Sequence, residues 1–374
     1  MKAKPMKILL LTSSLNSGGA ERVASTLVNA WTARGDQVIL MPTFSGRREC
    51  FYELSPDVRL IYLADLISSQ VRTWANNIVR LRALRRFMAI ERSDVIISFL
   101  PNVNVATIIA SVGLGIPVIV CEHTDPFSAP APRLLRLACK FTYPLADTLT
   151  VLTDGIANKY AAHGLFLPRI RVMPNPIFEQ LIKVIHYGSN DVATKRLLGI
   201  GRLVDGKQFS LLIRIFANLA NRHTQWFLRI VGEGPLHADL QQQIADLGLE
   251  SRIKLPGAIS AIENELVEAD IFVLASKYEG FPMALLEAMA VGLPCVSFDC
   301  ASGPREISMD GQVALLVPLN DEQALELALE RLMLDADLRQ TLGDQARASV
   351  IERFALDKIL EQWDLLFKEI GIQR

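Results

Sequence analysis

Hydrophobic residues in this chain come in short unbroken runs, and between the runs they recur at every third or fourth position. A short run rich in Val, Ile and Leu reads as a buried strand, and the wider spacing reads as a helix with one apolar face. Alternation of the two from end to end predicts βαβ units and parallel sheets. Strands are expected over 7–13, 37–42, 58–63, 94–100, 117–122, 148–152 and 170–174, with helices over 20–34, 71–91, 103–112, 133–144 and 154–163. The pattern fades into mixed polar sequence between 178 and 194, then restarts. Strands follow over 196–201, 226–232, 253–255, 271–275, 295–298 and 314–318, and helices over 209–221, 236–247, 261–268, 283–291 and 321–334. Beyond 336 the pattern is helical only. The expected organisation is an N-terminal domain over 1–178, a linker over 179–194, a C-terminal domain over 195–355, and a last helix over 356–374 that packs back toward the first domain. Ligands of doubly wound sheets sit at the carboxyl ends of strands, so a site is expected in the cleft between the halves.

Composition narrows the class. A chain of 374 residues, half of them hydrophobic, has room for two cores. Lys and Arg (39) balance Asp and Glu (40), which does not suggest nucleic acid as a partner. The five cysteines, Cys50, Cys121, Cys139, Cys295 and Cys300, are odd in number and lack zinc-type spacing, as fits a reducing compartment. The N-terminal apolar run, Ile8 to Leu11, is short for a secretory signal and reads as a first strand. No run is long enough to cross a bilayer, so a soluble cytoplasmic chain is expected.

The stretch from Asp270 to Leu293 concentrates the candidate chemistry. Ile271 to Ala275 reads as a strand, Ser276-Lys277-Tyr278-Glu279-Gly280 as a turn, and Pro282 opens a helix at the position where a missing N–H does no harm. A strand that feeds a helix through such a turn points free backbone N–H groups at the sheet edge, where the helix dipole favours phosphate. Glu279 and Glu287 would not hold a bare phosphate. As hydrogen-bond acceptors they suggest hydroxyls, a sugar on one side and a ribose on the other; the plain structural alternative is a turn acid and a helix-face glutamate. Arg202 and Lys207, across the turn of Gly201-Arg202-Leu203-Val204-Asp205-Gly206-Lys207, can converge on one pyrophosphate. Unpaired, they are ordinary loop cations. Fixed cations and helix amides of this kind stabilise a departing diphosphate. The only Asp-x-Asp string, Asp335-Ala336-Asp337, lies between helices and reads as capping, so no metal or other cofactor is expected.

Glu279 and Glu287 with Gly280-Phe281-Pro282 between them, Leu285-Leu286 before the second and Ala288-Met289-Ala290 after it resemble the E-x7-E signature of retaining, family-four glycosyltransferases. The resemblance implies the GT-B fold, an α/β architecture of two Rossmann-like, doubly wound domains facing a central cleft. It implies that Arg202 and Lys207 clamp the donor diphosphate, that Glu279 fixes donor-sugar hydroxyls beside the Gly280, Phe281 and Pro282 backbone, and that Glu287 takes the ribose. Gly18 and Gly19, in a Gly-Gly-Ala-Glu-Arg loop after the first strand, would lie over the diphosphate, though such a turn is also common as plain structure. His123, in Cys121-Glu122-His123, would contact the donor sugar near the reacting carbon; a lone histidine is otherwise a structural residue. Gly232, Pro256 and Gly257 would border base and ribose, although tight turns account for them too. The loop Gly303 to Ile307 also looks like a family element, with no role assigned.

From Ser68 to Ile90 there is no acidic residue, while Arg72, Arg80, Arg82, Arg85 and Arg86 are present and Trp74, Ile78, Leu81, Leu84 and Met88 form one stripe. Such a helix packs on a core with a solvated cationic face, or meets anionic head groups or a polyprenyl diphosphate. The stretches LNSGGAER (15–22), DVIISFL (94–100), CEH (121–123) and GRLVDGK (201–207) resemble those of bacterial transferases that add N-acetylgalactosamine to undecaprenyl-diphosphate-linked oligosaccharides, which carry a basic helix at this position. That resemblance assigns Arg72, Arg82 and Arg86 to the lipid diphosphate. The implied activity is metal-independent, retaining transfer of a hexose or N-acetylhexosamine from a nucleotide sugar, UDP-linked, to a lipid-linked or surface-polysaccharide glycan at the inner face of the cytoplasmic membrane. A nucleotide-sugar epimerase on the same fold is the enzymatic rival, and a bilobal sugar-binding protein the non-enzymatic one.

Overall fold

Strand β1 (Lys7–Thr12) is buried at every position after Lys7, as a strand covered on both faces must be. The computed structural model describes residues 5–16, 18–44, 50–67, 74–128, 131–163, 168–186, 194–259 and 261–372, without the side chains of Trp74 and Ala75. Arg72 lies outside the described residues. The chain divides into two compact units, Met1–Asn175 with Ile359–Arg374, and Pro176–Lys358.

In the first unit β1 leads through α1 (Gly19–Ala33) to β2 (Gln37–Pro42) and the short β3 (Arg59–Leu60). Then follow α2 (Trp74–Glu91), β4 (Val95–Phe99), α3 (Pro101–Ser111), β5 (Val118–Cys121), α4 (Arg133–Thr142), β6 (Thr148–Val151), α5 (Asp154–Ala162) and β7 (Arg169–Val172). The strands are parallel in the order β3-β2-β1-β4-β5-β6-β7, with Leu10 of β1 opposite Leu40 on one side and Ile97 on the other. The chain builds outward from β1 to β3, then crosses to β4, so strand order reverses between β1 and β4.

The second unit opens with α6 (Glu179–Lys183), inside the segment expected as linker; its Leu181 is buried, and the Arg347 guanidinium binds the Ile182 and Val184 carbonyls. After it come β8 (Lys195–Ile200), α7 (Phe209–Ala220), β9 (Trp226–Val231), α8 (His237–Asp246), β10 (Ile253–Gly257) and α9 (Ile262–Glu268). The chain continues through β11 (Ile271–Leu274), α10 (Met283–Val291), β12 (Cys295–Asp299), α11 (Pro304–Ile307), β13 (Leu315–Pro318), α12 (Glu322–Leu334) and α13 (Ala336–Phe354). The sheet order is β10-β9-β8-β11-β12-β13, all parallel, and strand order reverses between β8 and β11. Helix α10 is buried from Leu285 to Val291 and ends at Gly292, whose φ of 88° is the left-handed cap that glycine accepts without strain. Asp335 starts α13 by accepting the Leu338 N–H at 2.8 Å.

Helix α14 (Leu356–Glu369) carries the chain end onto α1. Trp363 meets Trp31 edge to face at 5.6 Å, Phe367 packs on both, and Arg34 pairs with Asp364 at 2.9 Å. Trp31 is fully buried, so Trp31→Ala removes from α1 the large side chain on which α14 packs. A loss of about 3–5 kcal/mol is expected. Urea unfolding followed by tryptophan fluorescence measures it, and an unchanged midpoint would contradict the packing described.

Candidate active site

In the second sheet the loops after β8 and β11 flank the point where strand order reverses, the place where doubly wound sheets leave a crevice. The Lys277 N–H donates to the Gly206 carbonyl at 2.8 Å and joins the two loops. Across that junction Lys207 Nζ donates to Glu279 Oε1 at 2.5 Å, with only 25 % and 12 % of the two side chains exposed. Arg202, in the same loop after β8 as Lys207, is exposed and makes no ion pair among the described residues. Backbones approach closely here. A Cβ on Gly206 would stand 2.6 Å from the Tyr278 hydroxyl, and one on Gly232, at φ 145°, would overlap the Gly201 carbonyl. The Gly232 N–H donates to the Gly257 carbonyl at 2.9 Å, which draws Pro256 and Gly257 to the same edge.

Glu279, Gly280, Phe281 and Pro282 lead into α10, whose first turn has no side-chain cap. The loop after β12 supports this turn from behind. Ser302 Oγ donates to the Gly280 carbonyl at 2.9 Å, and Gly303, at φ 95°, lies so close to Pro282 that no side chain fits. The segment Gly303 to Ile307 thus buttresses the Gly280–Pro282 turn. Glu287 lies at the start of the second turn of α10 and is buried. The structure brings Lys207 and Glu279 into contact and sets Arg202, Gly232, Gly257 and the α10 N-terminus along one edge of one sheet.

The first unit carries the other candidates. Gly18 precedes α1, where its N–H and carbonyl both bond the Tyr52 hydroxyl, and a Cβ on it would overlap the Glu21 carboxylate. Gly19 has open space around it. His123 follows β5 with its ring against Phe99, centroids 4.0 Å apart, and both ring nitrogens shielded from solvent. Burial lowers the imidazole pKa to about 4, against a smaller opposing effect of Asn175, so the ring is neutral at pH 7. Burial also pushes the neighbouring Glu122 carboxyl up to about 7, with the Tyr143 hydroxyl acting against the shift. A buried polar chain fixes this edge: Ser98 Oγ donates to Asn104 Oδ1 at 2.7 Å, Asn104 Nδ2 to the Tyr143 hydroxyl at 3.2 Å, and that hydroxyl to Glu122.

Helix α2 departs from the expected picture. Leu84 and Met88 are buried, but Ile78 of the same stripe is exposed. Two of its arginines are committed to the fold: Arg85 to the Ala110 and Val112 carbonyls, which end α3, and Arg80 to the Thr43 carbonyl and the Phe44 ring. Arg82 and Arg86 remain exposed. A cavity of about 660 Å³ beside β13 and α12 lies away from the Lys207–Glu279 pair, and its Arg305 is already paired with Asp299 and Asp310. Among the described residues no three His, Cys, Asp or Glu side chains gather where they could hold a metal ion.

Two family comparisons match the chain in two successive parts. Residues 18–176 match the family described as glycosyl transferase 4-like domain, and residues 189–349 match glycosyl transferases group 1. The chain belongs to the family-four glycosyltransferases. A curated relative of this glycosyltransferase is the GalNAc-alpha-(1->4)-GalNAc-alpha-(1->3)-diNAcBac-PP-undecaprenol alpha-1,4-N-acetyl-D-galactosaminyltransferase of Campylobacter jejuni, 29 % identical over 98 % of this chain and 99 % of the relative. Among solved structures, sucrose-phosphate synthase from Thermosynechococcus elongatus superposes with a TM-score of 0.81 at 19 % identity, covering 97 % of this chain and 99 % of that one. HepE of Anabaena, solved in complex with UDP, gives 0.78 at 19 % identity, covering 97 % and 100 %. The fold is GT-B.

Sequence reasoning about this glycosyltransferase missed two arrangements. The Lys207–Glu279 contact joins residues far apart in the chain, and their sequence contexts point each to a ligand rather than to the other. Glu122 is the second, and a carboxylate next to a histidine at a strand end is the one sequence signal for it. The two groups oppose each other in pH. Glu122, raised from 4.5 to about 7, contributes stability that is full below 4.5 and lost as pH rises to 7. His123, lowered from 6.5 to about 4, contributes stability present above 6.5 and lost as pH falls to 4. Glu122→Gln leaves only the second effect, so its stability should climb more steeply than the parent's between those values. Urea denaturation across that range tests this, and parallel profiles would refute the assignment of Glu122.

Proposed function

We propose that this glycosyltransferase moves a hexose or N-acetylhexosamine from a UDP-linked sugar to a lipid-linked or surface-polysaccharide glycan, with retention at the anomeric carbon and without a metal. The Lys207–Glu279 pair at the β8/β11 switch point carries the reading. A lysine held by one carboxylate and flanked by an exposed arginine suits an anion that displaces that carboxylate. Glu279, once released, is an acceptor for sugar hydroxyls. The relative that acts on an undecaprenol-linked glycan supports the acceptor, and the UDP bound to HepE supports the nucleotide.

In this reading Arg202 grips the diphosphate bidentately and Lys207 supplies a point charge. The amides of the Gly280–Pro282 turn and the α10 start add their dipoles. Glu287 holds the ribose, with Gly232, Pro256 and Gly257 beside the base. Gly18 and Gly19 bring backbone amides to the diphosphate, and neutral His123 donates or accepts a hydrogen bond at the sugar without acting as a base. Arg72, Arg82 and Arg86 are assigned to the lipid diphosphate of the acceptor. The bond from the anomeric carbon to the diphosphate oxygen breaks, the acceptor hydroxyl oxygen bonds that carbon on the same face, and the leaving diphosphate takes the hydroxyl proton. Relatives named as transferases weigh against the epimerase alternative.

Lys207→Ala and Glu279→Ala should each lower kcat by about a hundredfold or more, the scale for losing one fixed group that stabilises developing charge. Radiolabelled sugar transfer measures this. A chelator should leave the rate unchanged, and NMR of the product should show the donor's anomeric configuration. Full activity in either variant, or loss of activity with chelator, would overturn the reading.

A further inference from the structure

Helix α4 (Arg133–Thr142) carries exposed apolar side chains and unpaired cations on adjacent faces. None of its residues is buried. Leu134, Leu137 and Phe141 recur three and four apart, and the stripe continues to Leu145 in the following turn. These four are 83 %, 51 %, 72 % and 63 % exposed, a contiguous apolar ridge that isolated surface residues do not make. Arg133, Arg136 and Lys140 form the neighbouring stripe, and none has an ion-pair partner among the described residues. The sequence from 126 to 146 contains no Asp or Glu to neutralise them. Their side chains instead rim a cavity of about 630 Å³ with Phe127, Tyr160 and Glu122 in its wall, and burial pushes the Glu122 carboxyl toward its uncharged form.

We infer that α4 is an interfacial helix that lays Leu134, Leu137, Phe141 and Leu145 into the acyl boundary of a membrane while Arg133, Arg136 and Lys140 meet anionic phospholipid head groups. The helix spans about 15 Å, short enough to lie in the interface plane and far too short to cross it. Charge separates this occupant from a second copy of the chain. A two-fold contact through the ridge would set the same three cations against their own copies, whereas an anionic bilayer complements them. Arg80 and Arg85 of α2 are engaged within the fold, and α2 has no comparable ridge, which leaves α4 as the surface to which ridge and charge both point. The inference rests on the acceptor reading for its purpose, since a lipid-linked glycan is met at a membrane, but its observations are independent of that reading.

Flotation of the full-length protein with vesicles tests it. The parent should float with phosphatidylcholine mixed with phosphatidylglycerol, more weakly at high salt, and little with phosphatidylcholine alone. The triple variant R133Q/R136Q/K140Q should lose about a hundredfold in affinity, about fivefold per charge, and L134S/F141S should abolish flotation. Both should keep the parent's melting temperature and its turnover of a short-chain, water-soluble acceptor, because every replaced side chain is exposed. Equal binding to both vesicle types, undiminished flotation of both variants, loss only on replacing Arg82 and Arg86, or a dimer abolished by L134S/F141S without vesicle binding would each overturn the inference. Flotation of the parent with no transfer to a polyprenyl-linked acceptor would sink the acceptor reading and leave this surface standing.

Discussion

Close backbone contact at the carboxyl edge of the second sheet is the constraint on which the candidate site depends. Gly232 sits so near the Gly201 carbonyl, and Gly206 so near the Tyr278 ring, that the loops after β8, β9 and β11 can meet only where side chains are missing. That approach brings Lys207 across to Glu279 and leaves Arg202 at the rim. A parallel sheet supplies the direction, since all its strands end at one edge, and the reversal of strand order between β8 and β11 supplies the gap. The support from behind is equally local: Ser302 and Gly303 hold the Gly280–Pro282 turn in register with α10.

The first unit solves a different problem. Its β5 edge buries a carboxyl and an imidazole side by side, and burial drives each toward its uncharged form, Glu122 upward and His123 downward. The chain from Ser98 through Asn104 and Tyr143 gives Glu122 a donor and ties β4, α3, β5 and the end of α4 to one another. A neutral imidazole can make hydrogen bonds to a sugar without competing for an anion. On the proposed reading, that complements a second unit whose cations are reserved for the diphosphate.

Local pattern made the fold legible. Runs such as Ile271 to Ala275 are buried strands, Gly292 caps α10 in the left-handed conformation, and Asp335 caps α13. What the sequence concealed was pairing over distance. Nothing near Lys207 in the chain announces Glu279, and the Tyr143 hydroxyl reaches Glu122 only because α3 and α4 pack together. Helix α2 misled because a count of arginines does not say which are consumed by carbonyls: Arg85 caps α3, a job visible only once α3 ends beside it. The exposure of helix α4 stays hidden in the sequence for the complementary reason. Its apolar spacing is that of a buried face, and periodicity alone carries no information about whether the facing layer exists.

The Lys207–Glu279 contact gives the proposed reading an order of events. An ammonium with a quarter of its side chain exposed and a carboxylate with about an eighth are each costly to leave unpaired, so neither is free to meet a ligand while the other lacks a substitute. A sugar alone brings hydroxyls, which neither replace the carboxylate at Lys207 nor the ammonium at Glu279. A diphosphate brings the charge that Lys207 needs, and the attached sugar brings donors for the carboxylate so released. Both halves of a nucleotide sugar are therefore required to open the pair without leaving a buried charge behind. Discrimination between a nucleotide sugar and its fragments then follows from electrostatics at one contact, with no moving lid required.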